Sequence, residues 1–427
     1  MGSDHLIGKW YYDRQRRPAA MTVFIFAGCL EAYPTNRLVA GWNTLMITSA
    51  VNGAILRNKV LSPTWITGSC VSLVNYLKLF ANLFEHFDWK TLFLIVDSTA
   101  NPVYLDLNPS LVSVIGKMKD SQLTSVKIDS NRGVDFAPIL THFRSASRVM
   151  IFLGHGQPLR QLMLKASELS MTNGEYAYIA MEIFESPLFG RFTWQYGDED
   201  DQRAKEAFRS VLLLGPDVSI YDAPSVDLVD EWKRRSAVTF NVSYRDLNPY
   251  VMASYSSVIM FGNVLKETIS GDPMFDLRDG AEFAKRFLNR TFKLDYTEVF
   301  IDEAGERRTD LAVRSINATT GKFTVRMVQD KARSRLKIVD KFDWPSEGNV
   351  PPRNEPLCGY QNYRAICRAS GTSEVPAAVG ATTSCIIIIA LSFTWIVFHR
   401  GTGNQDTWWA LETGEFGYPT RRFRSFS

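Results

Sequence analysis

Few residues in this chain have the types and spacing that catalysis or metal binding requires. The 427 residues include five His and five Cys, and none of these pair at the separations typical of metal-binding motifs. Gly154, His155 and Gly156 form a Gly-rich turn after an apolar run, but it matches neither a phosphate-binding loop nor a dinucleotide-binding motif. We therefore expect no catalytic residue, no metal and no cofactor. We interpret this turn as a strand-to-helix connection at a position where a ligand can be contacted.

The placement of the cysteines matters more than their number. Cys358 and Cys367 enclose a short loop in a Pro-rich stretch. Outside the cell, two thiols this close together oxidise, so we predict a disulfide between them. Cys385 lies in an apolar run and is interpreted as a small apolar residue. Five cysteines in a chain of this length exclude a disulfide-dense scaffold.

A long uncharged stretch runs from Val375 to Phe398. These 24 residues would form a helix of about 36 Å, whereas a bilayer core is about 30 Å thick. We predict a transmembrane helix over residues 375–398, a juxtamembrane stalk over residues 351–374 and a short cytoplasmic tail over residues 399–427. The alternative is a buried helix of a soluble protein.

Glycosylation sequons favour an extracellular N-terminal part. Asn241, Asn289 and Asn317 each begin a sequon, and all three precede the uncharged stretch. The basic residues on the two sides of that stretch do not decide its orientation. We expect a single-pass protein of the plasma membrane whose partners are the lipid bilayer and an extracellular ligand. The net charge of +3 gives no reason to expect nucleic acid as a partner.

Apolar runs and helical periodicities alternate along most of the chain. This order predicts an α/β protein with two doubly wound lobes over residues 21–350, following an irregular N-terminus over residues 1–20. We place the crossover between lobes near residues 99–125 and expect ligands at the carboxyl ends of the strands. The basic run Lys233–Arg235 is expected to close a helix. The predicted elements are strands 23–26, 45–47, 92–96, 149–153, 176–184 and 211–214, helices 33–43, 71–87, 136–143, 158–169, 225–235 and 250–268, and further strands with glycine turns over 296–328.

Several stretches together resemble the extracellular domain of natriuretic-peptide receptors and membrane guanylyl cyclases. The similarity covers roughly residues 21–400 and implies the type I periplasmic-binding-protein fold, a peptide or small-molecule ligand, and a homodimer. The stretches that carry it are AGCLEAYPTNRLVAGWNTLMITS (27–49), FEHFDWKTLFLIVD (84–97), RQLMLKASELSMTNGEYAYIAMEIF (160–184), AKEAF (204–208), LNRTF (288–292), IDEAGERRTDLAV (301–313) and the WP and EPLCGY motifs (344–360).

The resemblance also assigns roles to particular residues. Glu182 and Phe184 match the second lobe of the family and are expected on its ligand face. Gly28 and Cys29 resemble the turn that helps to hold a chloride ion through backbone amides in natriuretic members. The family's cysteine at this turn bridges to an upstream partner that has no counterpart here, so Cys29 is expected to be free or to pair with Cys70.

Two departures from the family pattern leave alternatives open. Only some twenty residues precede Cys29, so the first lobe is expected to be truncated. Residues 14–30 imitate a signal peptide, but we interpret residues 23–26 as a strand and expect no signal peptide. Residues 401–427 have no room for a kinase-like or cyclase domain, so we expect no enzymatic activity. The chain is then a peptide-binding receptor, a membrane-tethered clearance or solute-binding protein without signalling, or a fragment of a cyclase receptor or of an incomplete gene.

Overall fold

The structure is a computed structural model. Its two compact units comprise Met1–Tyr360 and Gln361–Ser427, and the elements considered below all belong to the first. The residues that the structure describes are 21–28, 31–50, 53–183, 189–217, 226–243, 249–295, 297–330, 335–360, 367, 388–392 and 394–395.

A three-stranded parallel sheet forms the centre of the first lobe. Leu45 and Ile47 pack on one face, and Met46 packs on the other, because successive side chains of a strand point in opposite directions. Two separate apolar clusters result, so this small sheet is covered on both sides. Its elements are β1 (Val23–Phe26), α1 (Ala32–Gly41), β2 (Leu45–Thr48), α2 (Ala54–Arg57) and β3 (Trp65–Thr67), in the strand order β1-β2-β3.

An eight-stranded sheet forms the centre of the second lobe and holds the largest apolar cluster. Its strand order is β14-β13-β12-β8-β7-β6-β4-β5, with β4 to β8 parallel and β12 to β14 antiparallel. The elements are α3 (Leu73–Phe87), β4 (Thr91–Asp97), α4 (Pro102–Gly116), β5 (Gln122–Ile128), α5 (Phe136–Ala146), β6 (Val149–Leu153), α6 (Gly156–Glu168), β7 (Ala177–Met181), α7 (Asp201–Phe208), β8 (Val211–Pro216), β12 (Leu311–Ile316), β13 (Phe323–Gln329) and β14 (Leu336–Ile338).

The chain returns to the first lobe between β8 and β12. Buried residues of this returning segment join Leu45, Ile47 and Ile66 in one apolar cluster. The α/β architecture therefore agrees with the prediction, and the two apolar clusters of the small sheet are separate from the cluster of the eight-stranded sheet. The returning elements are α8 (Val226–Phe240), α9 (Pro249–Gly271), α10 (Gly280–Lys285) and an antiparallel sheet of β9 (Arg290–Lys293), β10 (Glu298–Ile301) and β11 (Arg307–Arg308).

The predicted crossover near residues 99–125 is wrong. That stretch forms α4 and β5, which belong wholly to the second lobe. Pro102 stands at the start of α4, where a proline is tolerated because the amide it lacks has no helical partner. β5 is an edge strand with an exposed, polar pattern, which made it resemble a linker. The chain crosses instead at three places, at residues 68–72 after β3, in the segment that follows β8, and at residues 309–310 before β12.

The basic run Lys233–Arg235 does not close a helix. It lies inside α8, which continues to Phe240. Arg234 and Arg235 pair with Glu231, at N–O distances of 2.7 and 2.6 Å. These i,i+3 and i,i+4 contacts favour the helix locally, so the cations support its middle and do not mark its end.

The predicted transmembrane helix is not tested by the structure. No helix among the described residues is both long and apolar enough to cross a membrane. Within residues 375–398, only 388–392 and 394–395 are described.

Candidate functional site

Three parallel strands of the second lobe end side by side, and polar residues stand at their carboxyl ends. β4 ends at Asp97, β6 is followed by Gly154, and β7 is followed by Glu182. Val96 pairs with Leu153, and Phe152 pairs with Ala180, which brings the three ends level. We call Asp97, Gly154–Gly156 and Glu182 the carboxyl edge. The sequence correctly predicted that the Gly154–Gly156 turn follows a strand, whereas the strand predicted over residues 176–184 ends earlier, at Met181, so that Glu182 follows it.

The Gly154–Gly156 turn is tightly packed by its neighbours. A side chain at Gly156 would overlap the backbone of Arg191, and one at Gly154 would approach the Phe152 ring to 2.8 Å. The Gly156 amide donates to the Phe189 carbonyl, at 3.0 Å. Both glycines are therefore explained by close backbone packing, and the turn leaves His155 as its one side chain.

His155 links two parts of the carboxyl edge. Its Nε2 accepts a hydrogen bond from the Asn101 amide, at 3.0 Å, immediately before α4. Burial lowers the pKa of His155, and the nearby Asp97 charge only partly opposes this effect. The imidazole is therefore neutral at pH 7, with its proton on Nδ1.

Asp97 is the fully buried carboxylate of the edge, with 0% of its surface exposed. Its Oδ1 accepts hydrogen bonds from the Thr99 amide (3.1 Å), the Thr99 hydroxyl (2.8 Å) and the Ser130 amide (3.2 Å). Burial acts to raise the pKa of Asp97, but the hydrogen bonds from Ser130 and Thr99 outweigh it and hold the pKa below its ordinary value. Sequence reasoning missed this residue because an acidic residue at the end of an apolar run resembles an ordinary strand terminus.

Glu182 is paired across the sheet. Its Oε2 accepts a hydrogen bond from Nη2 of Arg314 on β12, at 2.9 Å, and each side chain is 13% exposed. A side chain at Gly215 would overlap the Arg314 guanidinium, so that glycine lets the arginine cross β8. Arg314 lies 132 residues from Glu182 along the chain, and no local pattern could have predicted the pair. Phe184, the other residue predicted for the ligand face, lies outside the described residues.

The predicted anion-binding turn is described only in part. Gly28 follows β1 with φ +65°, a left-handed conformation that favours glycine. Cys29 lies outside the described residues. Cys70 is buried, with 2% of its surface exposed, and the alternative of a Cys29–Cys70 bridge stays a prediction.

The predicted modification sites differ in their surroundings. Asn241 and Asn289 are exposed, whereas Asn317 is half-buried. The side-chain carbonyl of Asn317 accepts hydrogen bonds from the amides of Thr319 and Thr320. Cys358 and Cys367 are both disulfide-bonded. Their pairing with each other, and glycosylation at the three asparagines, stay predictions.

Two of the three crossings between the lobes, at residues 68–72 and at residues 309–310, lie next to each other. Arg307 donates to the Gly68 carbonyl (3.3 Å), and Thr309 donates to the Cys70 carbonyl (3.1 Å). A side chain at Gly68 would overlap the Ser257 hydroxyl on α9, so the first crossing passes close to that helix. Asp217, which follows β8, donates its amide to the Asp310 carbonyl (3.0 Å). The crossing at residues 309–310 therefore reaches the sheet at the end where the carboxyl edge lies.

A C-terminal segment, residues 342–360, packs on the opposite end of the same sheet, and we call it the strap. The Trp89 indole donates to the Pro352 carbonyl (2.8 Å), and Asn354 Oδ1 accepts from the amides of Lys90 (2.5 Å) and Thr91 (2.7 Å). These partners stand at the start of β4. The strap is further held by an aromatic cluster of Phe87, Trp89, Phe342 and Trp344, whose ring centroids lie 4.5–6.5 Å apart.

Comparison with known proteins decides the family. The model of the family described as the receptor family ligand binding region matches residues 15–319, more than half of the chain. The chain belongs to this family. The receptor family ligand binding region here thus extends from before β1 to just after β12, and it includes the first lobe, the three crossings and the second lobe as far as β12.

Similar proteins carry receptor names. Bovine atrial natriuretic peptide receptor 3 is 23% identical over 380 residues, which cover 86% of this chain and 68% of the relative. A receptor-type guanylate cyclase of Caenorhabditis elegans is 27% identical over 228 residues, 51% of this chain and 17% of the relative. Bovine atrial natriuretic peptide receptor 2 is 23% identical over 278 residues, 61% of this chain and 26% of the relative. These matches confirm the resemblance drawn from the sequence motifs.

Proposed function

We propose that this chain binds an extracellular peptide between or beside its lobes, as the ligand-binding part of a single-pass receptor in the plasma membrane. The observation that carries the proposal is that the two lobes have separate apolar clusters and are joined at adjacent crossings next to the carboxyl edge. Two packed bodies joined in this way can take more than one relative orientation. A ligand that binds one orientation better shifts the population toward it.

Glu182 and Arg314 are the proposed polar contacts for the ligand. The pair is mostly buried but can still be reached from solvent, since each side chain keeps 13% of its surface exposed. A peptide guanidinium or ammonium can bind Glu182, and a peptide carboxylate can bind Arg314, each by charge-assisted hydrogen bonds. Phe184 and the His155 turn are proposed to line the same face, and Gly28 and Cys29 to contribute to an anion site in the first lobe.

The strap provides the proposed route of transmission. It is bound to the start of β4 by hydrogen bonds and to α3 and Trp89 by aromatic contacts. Any rotation of the second lobe therefore moves residues 342–360 with it. Along the chain, these residues include the first part of the stalk, residues 351–360, and lead to the predicted transmembrane helix at residues 375–398. A homodimer, which sedimentation of the full chain would detect, would allow two straps to be moved together.

Binding of a labelled peptide tests the proposal. The relatives are named for atrial natriuretic peptide, so that peptide is the first probe for cells that display the full chain. Glu182→Gln should weaken its binding about tenfold or more, because a charge-assisted hydrogen bond contributes roughly 1.5–3 kcal/mol. Glu199→Gln, at an exposed position of the same lobe, is the matched control. Absence of binding by the unaltered chain would refute this peptide as ligand, and equal affinities for both variants would remove Glu182 from the ligand face.

A second candidate is a membrane-tethered clearance protein that binds without signalling. The cyclic GMP content of the same cells separates the two functions. A rise with bound peptide supports signalling, whereas uptake of the peptide without a rise supports clearance.

A further inference from the structure

A cavity of about 520 Å³ lies between the two lobes. One wall comes from α1 and from the segment around α2, in the first lobe. The facing wall comes from α3 and α4, in the second lobe, and Glu306 comes from the loop beside β11. The lining residues are Tyr33, Gly53, Ile55, Arg57, Leu73, Val74, Leu77, Asp106, Ser110 and Glu306.

Most of the lining is apolar. The negative and positive charges of its few ionisable side chains do not balance. Arg57 is neutralised within the protein, because it pairs with Glu306 and lies 3.4 Å from Asp302. Asp106 differs, since it has no ion-pair partner among the residues that the structure describes. The cavity therefore carries one carboxylate in excess of its cations.

Asp106 and Tyr33 approach the cavity from opposite lobes. Burial raises the pKa of the Asp106 carboxyl, although the residue as a whole stands at the exposed rim. Burial also raises the pKa of the Tyr33 hydroxyl, and the Asp106 charge adds to this effect. A cation placed beside this carboxylate would oppose the rise of its pKa by stabilising the charged form.

We infer that this cavity binds a small organic cation with an apolar body, of the arylalkylamine type. The ammonium group would bind Asp106, with the Tyr33 and Ser110 hydroxyls in reach as hydrogen-bond partners. The apolar body would pack on Ile55, Leu73, Val74 and Leu77. The volume lies within the range of about 300–1,000 Å³ that is usual for small-molecule sites. A neutral analogue lacks the ion pair with Asp106 and should bind more weakly. An anion would be repelled by the unpaired Asp106 carboxylate.

A ligand at this site would act on the arrangement of the lobes. Because its walls belong to both lobes, the cation contacts them simultaneously and stabilises the arrangement in which both walls are present. None of the lining residues belongs to the carboxyl edge. The site therefore modulates lobe movement from a position distinct from the proposed peptide contacts, and its existence does not depend on those contacts.

Calorimetric titration of the purified full chain with tryptamine tests the inference. Tryptophol has the same indole body with a neutral hydroxyl, and indole-3-acetate has a negative charge. Tryptamine should bind at least tenfold more tightly than tryptophol, and indole-3-acetate should not bind. Asp106→Asn should weaken tryptamine about ten- to a hundredfold and leave tryptophol unchanged. Asp120→Asn, at an exposed turn outside the cavity, is the control and should bind tryptamine as the unaltered chain does.

Three results would overturn the inference. They are no saturable tryptamine binding at millimolar concentration, equal affinities for tryptamine and tryptophol, or unchanged tryptamine affinity in Asp106→Asn. Ser110→Phe adds a steric test, because the ring would occupy the cavity and should abolish binding of both indoles. The thermal unfolding midpoint of Ser110→Phe shows whether this variant is folded. If it is not, the test rests on Asp106→Asn, which keeps the shape of the side chain. Peptide binding measured on the same samples separates failure of this site from failure of the proposed function.

Discussion

His155 is held in the carboxyl edge by a hydrogen bond that only the neutral imidazole can make. Protonation would put a second donor against the Asn101 amide, which already donates to Nε2. The folded protein therefore opposes protonation, consistent with a pKa lowered from 6.5 by burial. At the scale of one residue, the pH of the medium sets the protonation state of His155, and this state affects how stably the turn between β6 and α6 packs.

The coupling predicts a specific pH dependence of stability. The unfolded state binds more protons than the folded state below about pH 6.5, so His155 should make stability rise with pH through the acidic range and level off above that value. His155→Gln keeps a hydrogen-bond acceptor but cannot be protonated, so its unfolding free energy should lose this part of the slope. Urea unfolding between about pH 5 and 7.5 measures it. His142→Gln, at an exposed position of α5, is the control, and an unchanged slope in His155→Gln would contradict the account.

Residues of the site were predictable only where their neighbours in sequence carried the signal. The Gly154–Gly156 turn follows an unbroken apolar run, and Glu182 follows another, so both could be placed at strand ends. Arg314 and Asp106 could not. The first acts through a partner 132 residues away, and the second matters because two lobes meet beside it.

At the scale of elements, the strap is held mainly by aromatic packing. Trp344 is 5% exposed and contacts both Phe87 and Trp89. Removing a buried tryptophan side chain typically costs about 3–5 kcal/mol. The hydrogen bonds from Lys90 and Thr91 to Asn354 are smaller contributions, and they depend on the strap staying in place.

Trp344→Ala should therefore release the strap before it unfolds the second lobe. We expect hydrogen exchange at the amides of Lys90 and Thr91 to accelerate at least tenfold, because Asn354 would no longer cover them. The central strand β6 should remain protected, since none of its backbone bonds involves the strap. Val350→Ala, also within the strap but 53% exposed, is the matched control. Equal exchange in Trp344→Ala and the unaltered chain would show that the strap is held by other contacts.

Elements with strong periodicity were predicted well, and elements at edges were not. α3 was predicted from the spacing of its apolar residues, of which Phe80 and Phe84 are buried and Leu73, Leu77 and Phe87 are half-buried. The spacing did not predict the buried positions of Leu79 and Leu83. Its start is fixed by Ser72, which caps the helix, and its end by Asp88 in the left-handed conformation. β5 and α4 were missed because an edge strand lacks the apolar run of a central strand, and because prolines suggested a linker. A local sequence pattern indicates an element only where the element buries an apolar face. β5 and α4 are partly exposed, so their patterns are weak.

At the scale of the whole molecule, the two lobes have different roles in the proposed movement. The second lobe presents its carboxyl edge toward the crossings and its opposite edge to the strap. The first lobe is joined to it through residues 68–72, residues 309–310 and the segment between β8 and α9. The division into two lobes followed from the alternation of strands and helices along the sequence. The positions of the crossings did not, because three-dimensional adjacency of Gly68 and Arg307 leaves no trace in a local pattern.

The central claim is that ligand binding reorients the lobes while the strap follows the second lobe. Distances between paired spin labels on the full chain, with and without saturating peptide, test it most directly. One pair, Arg37→Cys with Ser145→Cys, reports on the two lobes, and a second pair, Ser145→Cys with Glu347→Cys, reports on the second lobe and the strap. All three positions are exposed. We expect peptide to shift the distance between the two lobes and to leave the distance between the second lobe and the strap unchanged. An unchanged first distance with bound peptide, or a shift confined to the second pair, would contradict this claim.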